Sequence, residues 1–139
     1  MGVNIKQNSD ASMGLQGTDL DDGAFVIVSI PYSTTSQLTQ SAAVMARRML
    51  VKSVSVVPDV ASTNAVTVTA YKAPSATALG SGTALTGAMA LNGTAATTVA
   101  GAIVAGTPDV GAGSRVGIVI SGALGASGSG VVTMTLAPA

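Results

Sequence analysis

An all-β fold, an antiparallel β-sandwich of jelly-roll-like type carrying an extended N-terminal arm, is predicted by three features of the 139-residue sequence. Small and β-branched residues dominate: Ala, Gly, Ser, Thr and Val make up 90 of the 139 positions. Apolar residues alternate with Ser and Thr at a period of 2 in several runs, and no stretch sustains a period of 3.6. Turn signals recur at a spacing of roughly 8–12 residues, which gives about seven or eight short strands; sandwiches and jelly rolls share that cadence. The expected organisation is an arm over residues 1–23 and one β-sandwich domain over residues 24–139.

Residues 1–23 are polar and Gly-rich, and they hold four of the six aspartates, Asp10, Asp19, Asp21 and Asp22. They show neither strand nor helix periodicity, and alone they cannot bury enough apolar surface to offset their chain entropy. They read as an arm that orders on a partner. The acids would meet a basic surface, and Val3, Ile5, Met13, Leu15 and Leu20 would supply the contacts that resist salt.

Residues 24–30 form a β-branched run, expected to be a buried strand ended by Pro31. Residues 32–40 read as a Ser/Thr/Gln loop. Residues 42–48 contain good helix formers, but strand-like neighbours favour strand or irregular structure. Residues 49–58 alternate, with Leu50, Lys52, Val54, Val56 and Pro58 on one parity and Val51, Ser53 and Ser55 on the other. Residues 58–63 supply turn chemistry. Residues 64–73 alternate more cleanly, Val66, Val68 and Ala70 against Thr67, Thr69 and Tyr71, as in a half-buried antiparallel strand.

Within the small-residue stretch 73–106, Asn92-Gly93 is a strong short hairpin signal. Strands are expected near residues 83–91 and 94–99, joined there. Residues 107–113 read as a turn, residues 114–121 and 131–136 as the last strands, and residues 122–130 as a flexible loop between them. The predicted core takes Val26, Val28, Val54, Val56, Val66, Val68, Ile118, Ile120, Val132 and Met134, all by alternation within β-branched runs.

Composition narrows the function classes. The absence of Cys leaves no disulfide framework, thiol nucleophile or thiolate metal site. The absence of His leaves no Ser-His-Asp triad and no imidazole acid or base at neutral pH. Six basic residues balance six acidic ones, without the basic footprint of a nucleic-acid protein. Gly, Ser, Thr and Pro interrupt both long charge-free stretches, 73–108 and 116–139, so neither reads as a membrane span. No apolar run follows the N-terminus, which argues against a signal peptide. The expectation is a soluble product without enzymatic activity, cofactor or metal. Only 9% of residues are charged, which suggests extensive burial against other chains and a homo-oligomer, a trimer by preference.

Individual motifs give bland readings. Asp19, Asp21 and Asp22 before Gly23 lack the rest of a calcium loop and read as arm charges. Asp59 and Asp109 fall in turn contexts and suit Asx-turns. The run from Gly111 to Gly117 only approximates a dinucleotide fingerprint and precedes a strand, so a tight turn is the natural reading. Asn92-Gly93-Thr94 matches a glycosylation sequon but reads as the hairpin turn. Arg47, Arg48 and Lys52 form the one basic cluster. Arg47 and Arg48 are candidates for pairing with acidic groups of a partner, a solvated strand edge being the competing reading. Phe25, Tyr32 and Tyr71 are too few for a sugar-binding platform and suit core or interface anchors.

The runs Lys52–Val56, Thr63–Pro74 and Gly82–Leu85, then Ser114–Gly122 and Val131–Pro138, together resemble the small structural proteins of tailed bacteriophages. Head decoration (cement) proteins and head-fibre proteins are the nearest in strand cadence. The resemblance spans about residues 49–138 and carries no functional residue with it. It implies a jelly-roll-like sandwich, often trimeric, mounted on the capsid surface of the virion after synthesis in the host cytoplasm. The major capsid protein and further copies of the chain are the implied partners, with no nucleic acid and no membrane. The rival readings are a receptor- or glycan-binding module of a tail or fibre, and a minor capsid or tail-tube component.

Overall fold

The structure, a computed structural model, describes residues 25–106 and 108–139. The predicted arm lies outside the described residues. The described residues form ten strands: β1 (Val26–Ser33), β2 (Thr39–Val44), β3 (Met49–Val60), β4 (Thr67–Ala73), β5 (Thr83–Ala84), β6 (Met89–Ala90), β7 (Val99–Ala100), β8 (Asp109–Val110), β9 (Arg115–Ile120) and β10 (Ser129–Pro138). A single 3₁₀ turn, Leu79–Ser81, is the one helical element among the described residues.

The strands form two antiparallel sheets, as the alternation predicts. One runs β1-β10-β3-β7, with β8 also on β3; the other runs β2-β9-β4-β5, with β6 also on β4. Pairing is nested along the chain: β1 with β10, β2 with β9, β3 with β7 and β8, β4 with β5 and β6. That wrapping of paired strands across two sheets is the jelly-roll arrangement. The more numerous strands have two sources: two-residue pieces replace the longer strands expected near residues 83–91 and 94–99, and β8 falls where a turn was expected over residues 107–113.

The core lies between the sheets and is almost wholly aliphatic. Nine of the ten predicted core residues are buried; Val54, Val56, Val68, Ile118, Val132 and Met134 are at most 2% exposed. Val26 is the exception, at 41%. It has the inward parity of Val28, Ile30 and Tyr32, but it opens β1 at the end of the sandwich, where nothing among the described residues closes over it.

Several local expectations are corrected. β1 does not stop at Pro31. It runs to Ser33, because β1 is an edge strand with only β10 beside it, and an edge tolerates a residue with no N–H to offer a second neighbour. Asn92-Gly93 forms no hairpin. The segment crosses between layers there, since β6 joins β4 in one sheet and β7 joins β3 in the other. The left-handed residue is Ala96, φ 60°, whose N–H donates to the Pro58 carbonyl.

Asp59 and Asp109 lie in β3 and β8 rather than in turns. The single parity expected for residues 49–58 also breaks: Met49 and Val51 point inward, then Val54, Val56 and Pro58 do. The register slips by one residue in between, leaving Lys52 as a bulge.

The loop before β10 is pinned rather than free. The Ser62 hydroxyl donates to the Leu124 carbonyl at 2.7 Å, the Asn64 side-chain amide to the Ala123 carbonyl at 2.9 Å, and the Ser127 N–H to Thr63 Oγ1 at 3.0 Å. These bonds tie residues 121–128 to the β3–β4 connection, so short polar side chains take the place of regular pairing.

Candidate functional site

Two surfaces stand out. The first is the outer face of the β1-β10-β3 sheet. The pleat sends inward-facing residues to the core and leaves the other parity outside. The cross-strand register aligns that outer set in three rows: Ile27, Thr135 and Ser53; Ser29, Thr133 and Ser55; Pro31, Val131 and Val57. None of the nine side chains is charged, and all are exposed or half-buried. Ser55 is followed laterally by Ala100 of β7. The result is a shallow lawn of hydroxyl and methyl groups. Covering such a face desolvates no charge, and short side chains allow a close approach.

The second surface is an apolar groove at the end of the sandwich where β1 and β3 begin and β2 and β10 finish. It encloses about 390 Å³ and is lined by Val26, Ala43, Val44, Met45, Ala46, Arg47, Met49 and Pro138. Val44 is 68% exposed, and Phe25, just before Val26, is 61% exposed. The corner that carries Met45 is built by backbone bonds: the Met45 N–H donates to the Ser114 carbonyl and the Gly113 N–H to the Met45 carbonyl, both at 2.8 Å.

Of the ten partner-binding candidates, Val3, Ile5, Asp10, Leu15, Asp19, Leu20, Asp21 and Asp22 lie outside the described residues. Arg47 lies on the groove wall. Arg48 is engaged within its own chain: its Nε donates to Asp109 Oδ1 at 2.5 Å, an exposed pair. Lys52 is the exposed bulge of β3, so the three basic residues adjacent in sequence do not act as one cluster. Arg115 serves structure, donating to Ser41 Oγ at 3.0 Å and to the carbonyls of Pro74 and Thr77. Lys72 Nζ donates to the Asp109 carbonyl.

Of the three aromatic residues, Tyr32 is in the core and Tyr71 is half-buried, leaving Phe25 as the well-exposed ring. Burial, followed by the nearby Asp59 carboxylate, raises the Tyr32 phenol above its ordinary pKa. Its hydroxyl has no hydrogen-bond partner among the described residues. Among the described residues no group of three or more His, Cys, Asp or Glu could hold a metal ion, and no helix is long and apolar enough to cross a membrane.

The outer-face rows were available in the sequence as the Ser/Thr parity of the same runs that named the core. The groove was not, because it joins the β2–β3 corner to Val26 and Pro138, which are distant from it in sequence. No protein-family model matches the chain, and no curated protein and no solved structure is significantly similar to it.

Proposed function

We propose that the chain is a virion structural protein, a decoration or cement protein that binds the assembled head of a tailed bacteriophage and stabilises it. The observation that carries this reading is the uncharged nine-residue centre of the outer face of the β1-β10-β3 sheet, with Lys52 and Asp59 at its margins on β3. A rigid sandwich with an aliphatic core presents a broad, weakly polar surface of short side chains. That is the chemistry of a subunit that packs against other protein and not of a pocket that holds a small substrate. The major capsid protein and neighbouring copies of this chain are the proposed partners, with a homotrimer as the assembly unit. The N-terminal segment, whose part before Asp19 holds Val3, Ile5, Asp10 and Leu15, serves as a second attachment to the shell.

A glycan-binding role finds less support, because sugar faces are built on exposed rings and Tyr32 is buried in the core.

Binding of the purified chain to heads that lack it tests the proposal. Thr133→Glu places a carboxylate in the middle row of the face, on the solvent side of β10. The variant should keep the wild-type thermal unfolding curve and lose at least tenfold in head binding. Undiminished binding by a folded Thr133→Glu protein would remove the face from the interface.

A further inference from the structure

The groove at the β2–β3 corner is an apolar surface in search of a cover, and the chain itself carries a fitting one. Val26, Val44, Met45, Met49 and Pro138 line it, and the Arg47 side chain stands on its wall. Residues 1–24 join the described chain at Phe25, immediately beside the groove. The two parts of the chain are electrostatically opposite. Residues 25–139 carry five Lys+Arg against two Asp, an excess of three positive side chains; residues 1–24 carry Lys6 against four Asp, an excess of three negative ones. Three of those acids, Asp19, Asp21 and Asp22, flank a single large aliphatic residue, Leu20.

We propose that Leu20 of the same chain occupies this groove, with the carboxylates of Asp19, Asp21 and Asp22 directed to the Arg47 side of its rim. Reach and tethering favour the chain's own segment over a neighbour's. Four residues separate Leu20 from Phe25, so the five steps of chain span up to about 17 Å when extended, and Asp22-Gly23 supplies turn chemistry for the reversal. A short tether also gives a high effective concentration, which a second molecule must compete against. Docked in this way, the root of the N-terminal segment is fixed to the sandwich and residues 1–18 start from a defined point. The inference does not depend on the virion reading.

The chain has no cysteine, so a paired replacement reads the contact directly. Leu20→Cys combined with Val44→Cys should oxidise to an intramolecular disulfide, seen as a shifted monomer on a non-reducing gel. It should form at least five times faster than the bond in Leu15→Cys combined with Val44→Cys. Equal rates for the two pairs, or a covalent dimer as the main product, would overturn the proposal, the dimer by assigning the groove to a neighbour's segment.

A measurement without cysteines guards against trapping. An Asp-specific endoproteinase should cut before Asp19 at least ten times more slowly than before Asp10, and Val44→Asp should erase that difference. Equal cleavage at both sites in the unmodified full chain would also overturn it.

Discussion

Lys52 and Asp59, the two charged residues of β3, are the two residues that its pairing with β10 leaves out. Thr135 stands opposite Ser53 and the next residue, Leu136, opposite Val51; Ser129 stands opposite Val60 and Gly130 opposite Pro58. Each bulge absorbs one residue, and each absorbed residue is charged and exposed. The first bulge has a clear purpose. It shifts the inward parity from Met49 and Val51 to Val54 and Val56, so that a twelve-residue strand feeds the core at both ends.

Deleting Lys52 should therefore be far worse than replacing it. Without the extra residue, Met49 and Val51 would turn outward while Val54 and Val56 stay in. Each large aliphatic side chain withdrawn from the core costs roughly 1.5–3 kcal/mol. The deletion should lower unfolding free energy by more than about 3 kcal/mol, whereas Lys52→Ser should change it by less than about 0.5 kcal/mol. Urea denaturation of the two variants checks this.

Gly117 is required for close approach. A Cβ at this position of β9 would meet the Gln40 carbonyl oxygen of β2 and come within 2.6 Å of Leu79 Cδ2, in the 3₁₀ turn folded over the sheet. The Gln40 carbonyl belongs to β2 and cannot move without disturbing the β2–β9 ladder. Gly117→Ala should cost at least about 1–3 kcal/mol, as overpacking does. Gly93, with open space around it, should accept alanine with little change. Thermal unfolding of both variants gives the comparison.

The Tyr32 hydroxyl is buried with no partner among the described residues, so its removal should relieve the fold. Tyr32→Phe should be neutral or stabilising by up to about 1–2 kcal/mol, because an unsatisfied buried polar group costs that order of free energy. The pH dependence follows from the raised phenol. The unfolded chain ionises near the ordinary tyrosine value of about 10, below the folded chain. Stability is thus fully present below that value and is lost as pH rises above it and through the higher pKa of the folded chain. Tyr32→Phe should flatten this alkaline loss, measured by denaturation at a series of pH values between neutrality and the onset of alkaline unfolding.

Much of the fold was legible because one physical rule, alternation about a buried face, holds along each long strand. Val66, Val68, Ile118, Ile120, Val132 and Met134 were placed by that rule alone, and all are buried. The rule fails where geometry is set by partners distant in sequence. Asn92-Gly93 has the chemistry of a hairpin, yet its flanks belong to different sheets. Val26 has the parity of the core, yet it lies at an open end of the sandwich. Lys52 reads as part of an alternating run until the register with β10 is known. Of the candidate site, the lawn of Ser and Thr was implicit in the polar parity. The groove, assembled from the ends of β1, β2, β3 and β10, had no local signature.

Scarcity of charge together with the uncharged centre of the β1-β10-β3 face leads to the expectation of self-association. Sedimentation velocity at micromolar concentration should give a trimer that persists at raised salt, since an apolar contact is not screened. A monomer across that range would contradict the trimeric assembly unit.

The central claim, that the chain is a shell-bound structural subunit, is tested most directly by counting its copies in purified particles. Quantitative mass spectrometry against the major capsid protein should give a copy number equal to the capsid lattice positions or a simple fraction of them, with the chain on the outside of filled heads. Absence from heads, or a handful of copies confined to the tail, would contradict it.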